Sequence, residues 1–276
     1  MSIIDFHIHV TLASEYSPWL LEELGRRVPG DPSAYLDRVL GSPRGFEEFL
    51  DAHGVDVAVC LAEQNPRSTG ACSNDRVAEF CRGSARLIPF ASVNPVEDPD
   101  PAGEVERAVT RLGMRGLKLY PVYQGFFASD RRLYPVYAKA EELGVPVLVH
   151  TGSSVLRDAR IKYGDPLHLD DVAVDFPRLT IVMAHGGRGF WYDRAFFLAR
   201  IHERVFLEIS GLPPSKLLEY FPELERIADK VVFGSDWPDV TDVGANVKAV
   251  GELPLADDTK TRILGGNAAR ILGLTG

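Results

Sequence analysis

Cysteine is scarce. Cys60, Cys72 and Cys81 are odd in number and have neither a C-x-x-C nor a zinc-ligand spacing, which excludes a disulfide framework and fits a reducing cytoplasm. Basic blocks are missing as well: 39 acidic residues face 30 basic ones, for a net charge of −9, and no run could neutralise a line of phosphates. Nucleic acid is therefore not an expected partner, and the scattered negative charge reads as a solubilising surface. No apolar run approaches the roughly 18 residues that a membrane span needs. The start, MSIIDFHIHV, has neither a basic segment nor a long apolar stretch, so no membrane association is expected. A Gly-x-Gly-x-x-Gly turn after the first strand is also absent, which removes the main sign of a nucleotide-binding open sheet.

What is present is an ordinary globular balance, 45% hydrophobic and 25% charged, over a length suited to one α/β barrel domain spanning 1–276. Eight short apolar runs recur at 3–8, 55–62, 87–93, 116–120, 145–150, 179–185, 205–210 and 230–235. They are rich in Val, Ile and Leu with little alternation, as strands covered on both faces of a parallel sheet are. Helical periodicity fills the gaps at 46–53, 74–81, 103–112, 132–143, 169–176 and 217–228. Several of these segments stop at glycine before the next strand, as at Gly54, Gly113 and Gly144. Strand and helix alternate to the end, which predicts a TIM (β/α)8 barrel. The irregular stretch 11–45, with Pro18, Pro29, Pro32 and Pro43, reads as a loop and helical insertion after strand 1, serving as a lid, a pocket wall or a structural cap.

The polar residues fall into a pattern on this frame. His7 and His9 end strand 1, His150 ends strand 5, His185 ends strand 6 and Asp236 follows strand 8. A barrel gathers these ends at its C-terminal mouth, and period-two alternation turns His7 and His9 to one side. Five ligand-type residues in apolar surroundings would each need a buried partner if they served packing alone. Imidazoles with a carboxylate are instead the donors that hold zinc, manganese or iron while leaving a position open. A divalent ion held there lowers the pKa of bound water to about 7 and polarises a substrate oxygen. His53, His168 and His202 lie at helix ends and read as structural.

The segments Asp5-Phe6-His7-Ile8-His9, Val149-His150-Thr151, Met183-Ala184-His185-Gly186-Gly187 and Phe233-Gly234-Ser235-Asp236-Trp237-Pro238 resemble the amidohydrolase superfamily. The nearest branch is the amidohydrolase-related group that includes aminocarboxymuconate-semialdehyde decarboxylase, and the likeness extends through Asn94-Pro95 to the closing Asn267-Ala268-Ala269-Arg270. The resemblance implies that His7, His9, His150 and Asp236 bind one metal, zinc first with manganese or iron admitted. It also implies that His185 polarises substrate or moves protons beside the metal, either as a ligand or just outside the ligand set. Asp236 would also act as general base, and Asp5 would orient a ligand or serve structure. Lys118, in Gly116-Leu117-Lys118-Leu119-Tyr120-Pro121, is similar to the lysine that carries a metal-bridging carbamate in dihydroorotases. The expectation here is an unmodified lysine and one metal. Lys118, Tyr120, Arg188 and Trp237 are candidates for contacting substrate, with Tyr123 and Trp191 as further aromatic walls.

The leading expectation is hydrolysis of a small-molecule ester, lactone or amide by metal-activated water. The alternative is non-oxidative decarboxylation of an aromatic or muconate-like acid, and a catalytically silent ligand binder stands third. Some decarboxylase relatives carry glutamate at the first position of the histidine pair, so the presence of His7 favours hydrolysis. A small-molecule substrate is the expected partner, with room for a homo-oligomer.

Overall fold

The structure, a computed structural model, describes residues 2–28 and 30–274; Pro29, counted above among the insertion's prolines, lies outside them. Among the described residues ten strands form: β1 (Ile4–His9), β2 (Val57–Leu61), β3 (Glu63–Asn65), β4 (Gly70–Cys72), β5 (Leu87–Ser92), β6 (Leu117–Leu119), β7 (Val147–His150), β8 (Ile181–Ala184), β9 (Val205–Glu208) and β10 (Val231–Val232). Eight of them make one parallel sheet in the order β1-β2-β5-β6-β7-β8-β9-β10, so each of the eight apolar runs contains a strand. The segment after β10 closes the cylinder against β1. Phe6 N donates to Phe233 O at 3.0 Å, Asp236 N to His7 O at 3.0 Å and His9 N to Trp237 O at 2.9 Å. The expected (β/α)8 barrel is the observed fold.

Two apolar layers follow from the alternation of side chains. Phe6, Leu61, Phe90, Leu148, Val182 and Val232 belong to one buried cluster, with Phe6 and Phe90 meeting edge to face at 5.5 Å. The other and larger cluster packs strands against the surrounding helices. Helices end where the glycine stops placed them: Gly113 and Gly144 adopt φ of 74° and 67°, the left-handed cap that lets the chain turn back toward the next strand. Among the described residues no helix is long and apolar enough to cross a membrane.

Two features depart from the sequence reading, a broken helix and an added hairpin. The expected helix 217–228 is broken into Leu217–Tyr220 and a 3-10 segment Leu224–Lys230. Pro222 forces Phe221 out of the helical region, to φ −131° and ψ 75°. The helical pieces expected within 11–45 are present: Pro18 and Pro32 begin helices Pro18–Leu24 and Pro32–Leu40, and Pro43 begins the helix Pro43–Ala52. Proline suits a first helical position because its missing N–H would have no partner there. The antiparallel hairpin β3–β4, which was not anticipated, leaves the end of β2 and touches the insertion through a bridge between Tyr16 and Gly70.

Candidate active site

The barrel mouth encloses a cavity of about 360 Å³, within the range of small-molecule sites. His7, His9, His150, His185 and Asp236 all reach it, as do Lys118, Tyr120, Tyr123 and Arg188. The insertion supplies part of the wall through Tyr16, Leu20, Leu24 and Arg27, so it is more than a cap. Arg27 Nη1 donates to Asp239 Oδ1 at 2.6 Å, tying the insertion to the segment after β10.

Trp237 is the exception among the expected substrate contacts. It is fully buried on the helix side of the sheet, packed 5.1 Å from Phe49, with Nε1 donating to Tyr35 OH at 3.1 Å. It pairs with Ile8 of β1 in an isolated bridge, just past the left-handed turn at Asp236, and its ring lies among Tyr35, Phe46 and Phe49 on the helix side. Trp191 is not among the cavity residues either and packs on Phe190 at 5.6 Å. Tyr120 lies at the cavity wall with its hydroxyl already committed to Ala62 O at 2.9 Å. The remaining histidines have structural partners: His53 Nδ1 accepts from Gly244 N at 3.1 Å, His168 pairs with Ser129 at 2.9 Å and His202 with Asp170 at 2.7 Å.

At the floor, Asp236 Oδ1 stands 3.4 Å from Nε2 of both His7 and His9. The ligand atoms of His7, His9 and Asp236 all lie within 4.8 Å of one another, as do those of a second group, His7, His185 and Glu208. His150 joins neither group, but its Nε2 is buried without a hydrogen-bond partner and its Nδ1 lies 3.2 Å from His185 Nε2. A nitrogen and carboxylate donor set with a bare buried imidazole nitrogen beside it fits a divalent ion. His185 and Asp236 both have positive φ, 62° and 68°. Such strain at non-glycine residues persists where surrounding contacts enforce it, and it collects at functional sites.

Glu63, Glu208 and Ser210 were not picked out from the sequence. Glu63, at the start of the hairpin, reaches within 3.6 Å of His9 Nδ1 and receives bonds from Asn65 at 3.1 Å and from the Thr69 hydroxyl. Glu208 ends β9 fully buried, 3.1 Å from His7 Nδ1. Its signal was present as an acid at the end of the apolar run Val205-Phe206-Leu207-Glu208. Asp5 does not touch a ring: Oδ1 accepts from His7 N at 3.1 Å and Ser235 N at 2.9 Å, pinning β1 to the closing segment.

Charge in the mouth follows from burial and neighbours. Burial, then the Lys118 cation, holds His7 and His150 well below the usual histidine range, and burial with Arg188 does the same for His185. For His9, burial is outweighed by bonds to Asp236 and Glu63, which raise it to about 9. Burial also works against ionised Asp236, but His185, His7 and His9 hold its carboxyl well below the usual carboxylate range. Lys118, fully buried with Nζ 3.4 Å from His7 Nε2, is brought down to about 8 by burial against the pull of Asp236 and Glu208. Arg188 Nη1 sits 3.8 Å from Asp236 Oδ2, and Nε donates to Ser153 O at 3.3 Å. Gly211, at φ 64°, leaves this gap open: a Cβ there would stand 2.5 Å from Arg188 Nη1 and 3.0 Å from Asp236 Oδ2.

Known proteins bear on this arrangement. Gamma-resorcylate decarboxylase of a Rhizobium species is 26% identical over 281 residues, covering 80% of this chain and 84% of that protein. The 2-amino-3-carboxymuconate-6-semialdehyde decarboxylase of Dictyostelium discoideum is 23% identical, covering 73% of this chain and 65% of that one. An uncharacterized TIM-barrel protein of Bordetella bronchiseptica superposes with a TM-score of 0.81 at 25% identity over 99% of both chains. A model of the amidohydrolase family matches residues 4–274, which span the barrel from β1 through the C-terminal helices, and the chain belongs to that family.

Proposed function

We propose that the chain is a metal-dependent decarboxylase of a small planar acid, aromatic or muconate-like. The observation that carries this reading is the likeness over four fifths of the chain to gamma-resorcylate decarboxylase, joined by the second decarboxylase relative. It moves decarboxylation ahead of hydrolysis. The presence of His7 pointed the other way, but one ligand position weighs less than similarity along the whole barrel.

His7, His9, His150 and Asp236 would hold one divalent ion, with zinc the first choice and manganese or iron compatible with a donor set free of thiolate. When bound, the ion would polarise substrate oxygen atoms and neutralise their charge. The chain's own groups supply the rest. Arg188, with its guanidinium in the cavity, and Lys118, unmodified, would receive the acid's carboxylate and an adjacent oxygen. Tyr123 offers a flat wall, its hydroxyl set by Ser154 at 3.0 Å. The overall change, R–CO2⁻ + H⁺ → R–H + CO2, breaks one C–C bond and consumes one proton. Asp236, ionised at rest and 3.8 Å from His185, would take up that proton only in passing and deliver it to the carbon that loses the carboxylate.

Hydrolysis of an ester, lactone or amide remains the second reading, since the same carboxylate could take a proton from attacking water. The two part at the proton. Metal-loaded protein in weak buffer is given hydroxybenzoates and carboxymuconates, and separately esters and lactones, with CO2 and pH followed together. The expected result is CO2 release with proton uptake, abolished by a chelator. Proton release from esters or lactones, with no CO2 from any acid, would replace the decarboxylase reading by the hydrolase one.

A further inference from the structure

The cavity at the barrel mouth changes character along its depth. Its floor is built from strand ends: His7 and His9 on β1, Lys118 on β6 and His150 on β7, with His185, Arg188 and Asp236 from the turns that follow β8 and β10. Further out, three segments that are distant in sequence converge on it. Leu20 and Leu24 come from the helix Pro18–Leu24, Val155 and Leu156 from the loop after β7, and Val240 from the stretch after β10. Val155, Leu156 and Arg27 also border an adjoining hollow of about 180 Å³ that reaches Trp19 and the exposed Arg157, which marks this end as the outer one. Val155 is 93% exposed, an apolar side chain left bare at the rim.

Charge is divided in the same way. The cations at the floor, Lys118 and Arg188, stand beside His7 and Asp236, where an acid group would be held. At the outer end Arg27 and Asp239 pair with each other at 2.6 Å and so cancel. The Tyr120 hydroxyl is committed to Ala62 O at 2.9 Å, and those of Tyr123 and Ser154 to each other at 3.0 Å. What the outer end offers a ligand is therefore a surface of leucine and valine. A cavity of about 360 Å³ is of the size that houses drug-sized ligands. A bare ring acid seated on the floor would leave the outer part to water against apolar walls, which is unfavourable.

We propose that the acid this site takes carries an uncharged apolar substituent of a few carbons, such as a short alkyl chain, on the side of the ring away from its carboxylate. Leu20, Leu24, Val155, Leu156 and Val240 form the subsite for it. The inference deepens the decarboxylase reading and rests on it for placing the carboxylate at the floor. Val155 is the wall residue whose exposed surface the substituent would cover.

The probes are ortho-hydroxybenzoate and its derivatives with a methyl or a propyl group para to the carboxylate, titrated calorimetrically into the zinc-loaded full chain. Affinity should rise about fourfold per added carbon, the equivalent of one buried methylene. Val155→Asp, at an exposed position that packing does not constrain, and Leu156→Asp should each set a charge beside the alkyl chain. Each should cut the ratio of propyl to unsubstituted affinity at least about fivefold. Equal or weaker binding of the propyl acid, or no binding by any of the acids, would overturn the proposal. So would a ratio that neither variant changes, since the chain would then lie elsewhere. CO2 release followed in the same samples separates this inference from the reading beneath it. Acids that bind in the expected order but release no CO2 would end the decarboxylase reading while the apolar subsite stands. Acids that bind equally yet release CO2 would keep that reading and end the proposal.

Discussion

Asp236 combines strained backbone with a carboxylate shared by two imidazoles, so substitutions there must separate fold from chemistry. Its φ of 68° suits asparagine, which tolerates the left-handed region, better than alanine, for which the strain is on the order of 1–3 kcal/mol. Asp236→Asn should therefore keep its melting temperature within a few degrees while turnover falls about 10²- to 10⁴-fold, the usual contribution of a group that moves a proton. Turnover near the wild-type rate would remove Asp236 from the chemistry. Trp237, one residue on, should behave in the opposite way. Trp237→Phe loses the bond to Tyr35 OH and some ring packing against Phe46 and Phe49, a destabilisation of about 1–3 kcal/mol in urea unfolding. Its kcat/KM should stay within about twofold. A raised KM with unchanged stability would restore the substrate contact expected from sequence.

At the scale of elements, helices Asn74–Cys81 and Pro101–Leu112 are joined by Arg107, which donates to Asp75 at 2.6 and 3.0 Å and to Glu104 at 2.7 and 2.9 Å. The Arg107 hydrogen bonds are the leading cause holding both carboxyls below their ordinary values. A carboxyl lowered by folding stabilises the fold above its unfolded pKa, and that contribution is lost as pH falls through the folded value. Arg107→Gln should thus destabilise by less than about 1 kcal/mol at pH 7, because the pair is largely solvated. The gap from wild type should shrink between about pH 4 and pH 2. A constant gap in urea midpoints over that range would show that Arg107 acts through packing instead.

The whole molecule divides into a packed floor and a mouth that holds the candidate site. Phe90 represents the floor: its ring lies where a Cβ on Gly116 would be, and it meets Phe6 edge to face. Phe90→Ala should destabilise by about 3–5 kcal/mol, measured by denaturant unfolding. The folded fraction should hold the same metal per chain as wild type, measured by elemental analysis after desalting. Loss of metal in step with a small stability change would mean that floor and mouth are not separate.

What the sequence determined by itself was everything local or serial. Eight runs of β-branched and leucine residues, alternating with helical periods and stopped by glycine, leave little choice but a barrel. Once strands run parallel in chain order, His7, His9, His150, His185 and Asp236 must meet at one end, so most of the site was legible before any coordinates. Pro222 could also have been read as the break in the helix expected at 217–228. Tertiary structure decided the contacts that depend on which way a side chain turns and on what distant segment it meets. Trp237 faces the helices while Asp236 faces the mouth, and a ring just past a strand end looks the same in sequence either way. Glu63 meets His9 through a three-residue strand too short for a periodic signal, and Glu208 and Ser210 meet His7 across some 200 positions.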